Sequence, residues 1–241
     1  MTLTAAEVSK ALQIHAKADD AVFLQRFFKT GAGQYGEGDV FIGVRVPMTR
    51  AICKQFKGLP LPEVQKLLNS KVHEYRLAGL ILLATAYPRA TEPERQKIFD
   101  FYLKNVYAGR VNNWDLVDTS AEFIIGAHLV DRPRDLLLKL AKSDKLWERR
   151  VAMLSTFQFL KHGDPSTTLA VAEILLHDPH DLIQKAVGWM LRETGKKVDE
   201  ALLIDFLEKH AATMPRTTLR YAIERLTPVQ KQRFMQMKHA T

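Results

Sequence analysis

At 241 residues, 46% of them hydrophobic, the chain can bury a large core and fits one domain or two. Thirty-five Lys and Arg against 27 Asp and Glu leave a formal charge of +8, which favours a polyanion or a negatively charged surface as partner and is silent on fold. A single cysteine, Cys53, excludes an internal disulfide framework and every multi-cysteine zinc site.

Met1 to Glu7 lack a charged segment followed by an apolar run, so no signal peptide is expected and a cytoplasmic setting is. Helical periodicity predicts elements over roughly 4–17 and 19–29. The pattern lapses from Lys29 to Val44, where five glycines read as one long flexible loop with a docking or DNA-contact role. Those glycines make no phosphate loop, because no Gly-Lys-Ser/Thr or GxGxxG follows a strand. Helices resume over roughly 47–57, 61–69, 73–87 and 92–107. Cys53, in the run Ala51-Ile52-Cys53, reads as a small core residue. The longest apolar window, Leu77 to Ala86, is too short to span a bilayer.

Further helices are predicted over roughly 113–129, 133–142, 146–161, 166–177, 180–194, 198–210, 215–226 and 228–238. Thr91-Glu92-Pro93-Glu94, Asp131-Arg132-Pro133 and Asp164-Pro165-Ser166 read as caps or first turns. Gly58, Gly163 and Gly195 fall where helices should end. Three segments share a pattern: His73 to Leu80, Trp147 to Leu154 and Leu182 to Trp189. Each sets polar or basic residues before a small residue and an aliphatic run. Helix pairs of roughly 30–40 residues are the period of HEAT-like solenoids. The expectation is therefore all-α: one domain over 1–241, an ARM-like superhelix of stacked antiparallel helix pairs with a concave basic face.

Trp114 and Asp118, in Asn112-Asn113-Trp114-Asp115-Leu116-Val117-Asp118, are four apart and share one helical face. Asp115 sits in the first turn, where the helix dipole stabilises a carboxylate, so its expected role is structural. Asp118 is the candidate for chemistry, because a carboxylate there can stabilise an oxocarbenium-like sugar and position a water. Lys185, Trp189 and Arg192 are related by i, i+4 and i+7 and form a second stripe, and Trp147, Glu148, Arg149 and Arg150 lead toward Lys161 in a third. Arginine and lysine neutralise phosphates, while indole faces stack on bases or attract cations. Any one stripe alone is more often core packing or a solvated face. Histidines supply no HExxH, and His177 and His180 straddle the helix break at Asp178-Pro179, so no metal or cofactor is expected. No GxSxG elbow occurs.

Four segments carry a resemblance: Phe41 to Pro47, Asn113 to Asp118, Leu146 to Arg150 and Ile183 to Glu193. In the same order, over about 20–230, the chain resembles the AlkD family of bacterial DNA alkylation-repair glycosylases. The resemblance implies a HEAT-like solenoid holding duplex DNA, and hydrolysis of the N-glycosidic bond of purines alkylated at N3 or N7 (3-methyladenine, 7-methylguanine), without insertion of the base into a pocket. It implies Asp118 as catalytic carboxylate, Trp114 and Trp189 as aromatics flanking the sugar, and Arg150 as a backbone-holding arginine. Arg149, Lys161, Lys185, Arg192, Arg45 and Phe27 complete the expected DNA contacts of a monomeric, monofunctional enzyme. Phe27 stands in place of a tyrosine, Arg45 in place of a glutamine, Asp181-Leu182 replace aromatics, and the loop 30–40 is longer. A non-catalytic HEAT-like DNA-binding scaffold is the other expectation, since such folds often serve as interaction modules.

Overall fold

The computed structural model describes residues 3–237, and among them every regular element is helical apart from an isolated parallel bridge between Val40 and Val72. The helices sort into two units, one ending at Ile124 and the other starting at Ile125. The first contains α1 (Ala5–Gln13), α2 (Ala18–Phe27), α3 (Val46–Cys53), α4 (Leu61–Leu68), α5 (His73–Ala86), α6 (Glu92–Tyr107) and α7 (Trp114–Ala121). The second contains α8 (Asp135–Ala141), α9 (Leu146–Ser155), α10 (Phe157–Lys161), α11 (Ser166–Ile174), α12 (Asp181–Lys197), α13 (Glu200–His210), α14 (Arg216–Ala222) and α15 (Pro228–Gln236).

Within the first unit α5 is the central element, with α3, α4 and α7 packed on it. Its residues from Leu77 to Leu83 are all buried, because the helix is apolar on every side. Gly79 lets α4 approach: a Cβ there would lie 3.2 Å from Leu68 Cδ2. By contrast, α2 buries none of its own residues, and Val22, Phe23 and Phe27 stay exposed. Short connections such as that between α4 and α5 make packed neighbours antiparallel, which is how an α-solenoid stacks its pairs.

In the second unit α12 plays the central part, packing on α9, α11, α13 and α14. Gly188 is the close-approach residue, since a Cβ there would meet the Thr218 carbonyl oxygen at 2.4 Å. Gly58 and Gly163, at φ +83° and +76°, follow helical segments as expected. Gly195 does not: it lies inside α12, and its missing side chain makes room for Leu203, 2.9 Å from an added Cβ. The helix expected over 146–161 breaks after Ser155. There the Ser155 and Thr156 hydroxyls donate back to the Val151 and Met153 carbonyls, the kind of bond that bends helices. The helix expected over 113–129 changes to a π-helical turn at Glu122–Gly126. α8 starts at Asp135, past the Asp131-Arg132-Pro133 signal. Thr91 caps α6 as expected, through a capping box with Glu94.

Cys53 is buried, and burial pushes its thiol up to about 12, as suits a core residue. Among the described residues no helix is long and apolar enough to cross a membrane.

Candidate functional site

Asn113 starts α7 by accepting the Trp114 N–H on its side-chain oxygen at 2.9 Å. One turn apart, Trp114 and Asp118 are both half-buried. Phe28 stacks on the Trp114 ring at 5.0 Å and 4°, and Phe27 meets it edge-on at 5.9 Å. One indole face is therefore packed, which fixes the ring plane. Phe27 is itself 55% exposed, and stacks at 6.0 Å on Phe23. Near Asp118 lies the buried Tyr102, which shares a 2.8 Å hydrogen bond with Ser120. Burial pushes its phenol far up, and the charge of Asp118 adds to that.

Behind Trp114 is a buried charged cluster that spacing alone does not reveal. His73, at the start of α5, sets Nδ1 3.0 Å from Asp39 Oδ2 and Nε2 2.8 Å from Asp115 Oδ2. Asp39 also accepts from Asn113 Nδ2 at 3.2 Å and pairs with Arg76 Nη2 at 2.6 Å. Burial works against a charged His73, but the two carboxylates outweigh it and raise its pKa to about 9. Burial likewise opposes ionisation of Asp39, yet His73 and Arg76 hold its carboxyl below the usual range. Next to His73, Glu74 accepts from the backbone N–H groups of Ile42, Gly43 and Val44. The second half of the glycine-rich segment is thus fastened to α5, where a flexible loop was expected, and Val40 pairs with the backbone beside Val72.

In the second unit Lys185, Trp189 and Arg192 lie on α12 and are all half-buried. Trp189 faces Phe157 at 6.0 Å, and the ammonium groups of Lys161 and Lys197 lie 5.0 and 5.2 Å from the Phe157 ring centre. Both lysines are exposed. Several of the expected DNA-facing cations already serve protein partners. Lys185 pairs with Asp181, Arg192 with Glu224, and Arg149 with Asp178 at 2.6 Å. Arg150 is buried and donates to the Leu182 carbonyl at 2.6 Å, tying α9 to the start of α12. Arg45, half-exposed in the first unit, pairs with Asp20 and sits 5.0 Å over the Phe23 ring.

The structure therefore brings Trp114, Asp118 and Phe27 together in one unit, and Trp189 and Lys161 around Phe157 in the other. Phe28, His73, Asp39, Phe157 and Lys197 were not singled out from sequence. Phe157 and Lys161 stand at i and i+4, a readable pair. His73 and Glu74, polar residues opening an apolar helix, were the visible sign of the buried cluster.

A family model described as DNA alkylation repair enzyme matches residues 8–226. Among solved structures, one described as "Predicted DNA alkylation repair enzyme from Enterococcus faecalis" superposes with a TM-score of 0.67 at 18% identity, covering 88% of this chain and 97% of that one. At that identity the likeness is one of fold. No curated protein matches the chain.

Proposed function

The chain belongs to the DNA alkylation repair enzyme family, and from that premise we propose that it is a monofunctional glycosylase excising N3- and N7-alkylated purines from duplex DNA. The observation that carries this reading is the start of α7: an indole clamped on one face by Phe28, with a half-buried carboxylate one turn on.

The chemistry needs little more. A purine alkylated at N3 or N7 already bears a positive charge, so it leaves readily. The C1′–N9 bond breaks with its electron pair passing to the purine, which becomes neutral. The sugar is left cationic at C1′. In this reading Asp118 stabilises that charge and orients the water that adds to C1′, while the Trp114 face lies beside the sugar. No lysine nucleophile is required, and the product is an abasic site. In the second unit we assign Trp189 an aromatic contact with the DNA. Lys161, which is exposed, takes the leading phosphate contact, and Arg45, Arg149, Lys185 and Arg192 contribute by exchanging a carboxylate partner for a phosphate. Arg150, being buried, is assigned to holding the backbone of α12 rather than reaching out itself. The protein needs no cofactor in this scheme and acts as a monomer.

A non-catalytic DNA-binding scaffold has no use for Asp118, since a carboxylate in a DNA-facing surface repels phosphate. Release of 7-methylguanine from methylated duplex DNA is the test. Wild type should release it, and Asp118→Asn should be slower by about 100- to 1000-fold. Asp118→Asn acting at the wild-type rate would overturn the role given to that carboxylate. Salt-sensitive binding with no base released by wild type would favour the scaffold.

A further inference from the structure

The residues on either side of Trp114 are tied to the same buried cluster. Asn113, before it, donates to Asp39 Oδ2; Asp115, after it, meets His73 Nε2. His73 joins the two, since its other ring nitrogen meets that same Asp39 oxygen at 3.0 Å. Both ring nitrogens thus face carboxylate oxygens. A neutral imidazole has one N–H and can donate to one of them only, whereas an imidazolium donates to both. The other oxygen of Asp115 is buried and accepts no hydrogen bond among the described residues, so that carboxylate depends on His73.

We propose that His73 is the positioning residue of this site: as an imidazolium it holds Asp115 directly and Asn113 through Asp39, and so fixes the direction in which Trp114 and Asp118 leave the start of α7. This deepens the glycosylase reading and rests on it. His73 makes no contact with DNA in this scheme and acts through α7. The groups facing it are Asp39 from the loop, Asp115 from α7, Arg76 and Glu74 on its own helix, and the uncharged rings of Phe28 and Phe41 at 5.0 and 4.4 Å. With Asp39 and Asp115 negative, and His73 and Arg76 positive, these four sum to zero, while the buried Glu74 carboxylate is held separately by the backbone N–H groups of Ile42, Gly43 and Val44. Loss of the imidazole proton would leave one uncompensated negative charge under the helix start.

The test uses His73→Gln, which retains a donor but not the charge. In a full-length chain whose sole tryptophan is Trp114 (Trp147→Phe, Trp189→Phe), acrylamide quenching of Trp114 reports how firmly that ring is held. His73→Gln should raise quenching about twofold, with helix content by circular dichroism unchanged. In the otherwise wild-type chain, His73→Gln should slow single-turnover release of 7-methylguanine by about tenfold or more, with affinity for undamaged duplex within about twofold of wild type. Should His73→Gln fail to fold, the parent single-tryptophan chain supplies the second measurement. Its Trp114 quenching should rise as pH passes through about 9, where His73 loses its proton. Wild-type quenching in His73→Gln, or no change in the parent across that range, would overturn the proposal. If wild type releases no base at all, the glycosylase reading fails, and the Trp114 measurements still decide whether His73 positions that ring.

Discussion

Trp114 and Trp189 sit among charges of opposite character. Around Trp114 the charges are buried and mutually paired: Asp39, backed by Arg76, and His73 hold the side chains of Asn113 and Asp115 on either side of the ring, and Phe28 covers one face. Beside Trp189, the two ammonium groups over the Phe157 ring that the indole meets, those of Lys161 and Lys197, are exposed. Buried pairs are barely screened by salt and are expensive to break, so they hold geometry. Exposed ammonium groups hold little geometry, but they attract polyanions and are tuned by ionic strength. In the proposed function, one region aims a side chain and the other draws in a partner.

The sharpest way to break this contrast is to remove the carboxylate that serves three partners. Asp39→Ala would leave His73 and Arg76 facing one carboxylate fewer and strip Asn113 of its acceptor. Breaking a buried pair in this way costs about 3–5 kcal/mol, to be read from urea unfolding. A loss under about 1 kcal/mol, the range of surface pairs, would place the cluster with the exposed charges after all.

Less is at stake when only the proton is removed. His73 has a folded pKa near 9 against an ordinary value of 6.5, so its ionic contribution is complete below about 6.5 and is lost as pH rises through 9. The wild-type melting temperature should therefore fall between pH 7 and 9.5 by more than that of His73→Gln. Taking the difference between the two cancels lysines and tyrosines that titrate nearby. Equal slopes would mean that the histidine is neutral in the folded protein.

How far these two regions could be read from sequence follows from the range of their contacts. Trp114 with Asp118, and Lys185 with Trp189 and Arg192, were legible because the helical repeat alone puts them on one stripe. Gly58 and Gly163 were legible because a helix end demands a positive φ. Gly195 misled, because a glycine can equally serve a close helix approach, and only the position of Leu203 distinguishes the two. The break at Thr156 turned on hydroxyls bonding to their own helix, which the residue types permit but do not require. Asp39, His73 and Asp115 are separated by 34 and 42 residues, so no local pattern joins them. Sequence assigned Asp115 a structural role through the helix dipole; the structure adds His73 as a specific partner. Arg150 shows the opposite limit. Its neighbours looked like a basic stripe, yet the side chain turns inward to a backbone carbonyl.

The smallest effect on stability should come from the lysines, and it tests the other half of the comparison. Each ammonium–ring contact at an exposed site is worth about 0.5–1 kcal/mol, so Lys161→Ala and Lys197→Ala should each shift unfolding by no more than that. Their effect should appear instead in the salt dependence of DNA binding. Where a lysine neutralises a phosphate, removing it lowers the slope of log affinity against log salt concentration by about 0.9. Fluorescence anisotropy of a labelled duplex, titrated at several salt concentrations, reads that slope directly. A large loss of stability with an unchanged slope would make these lysines props for Phe157 and Trp189. A reduced slope with native stability would make the Phe157 cluster an attracting surface, and would leave the aiming of side chains to the buried charges beside Trp114.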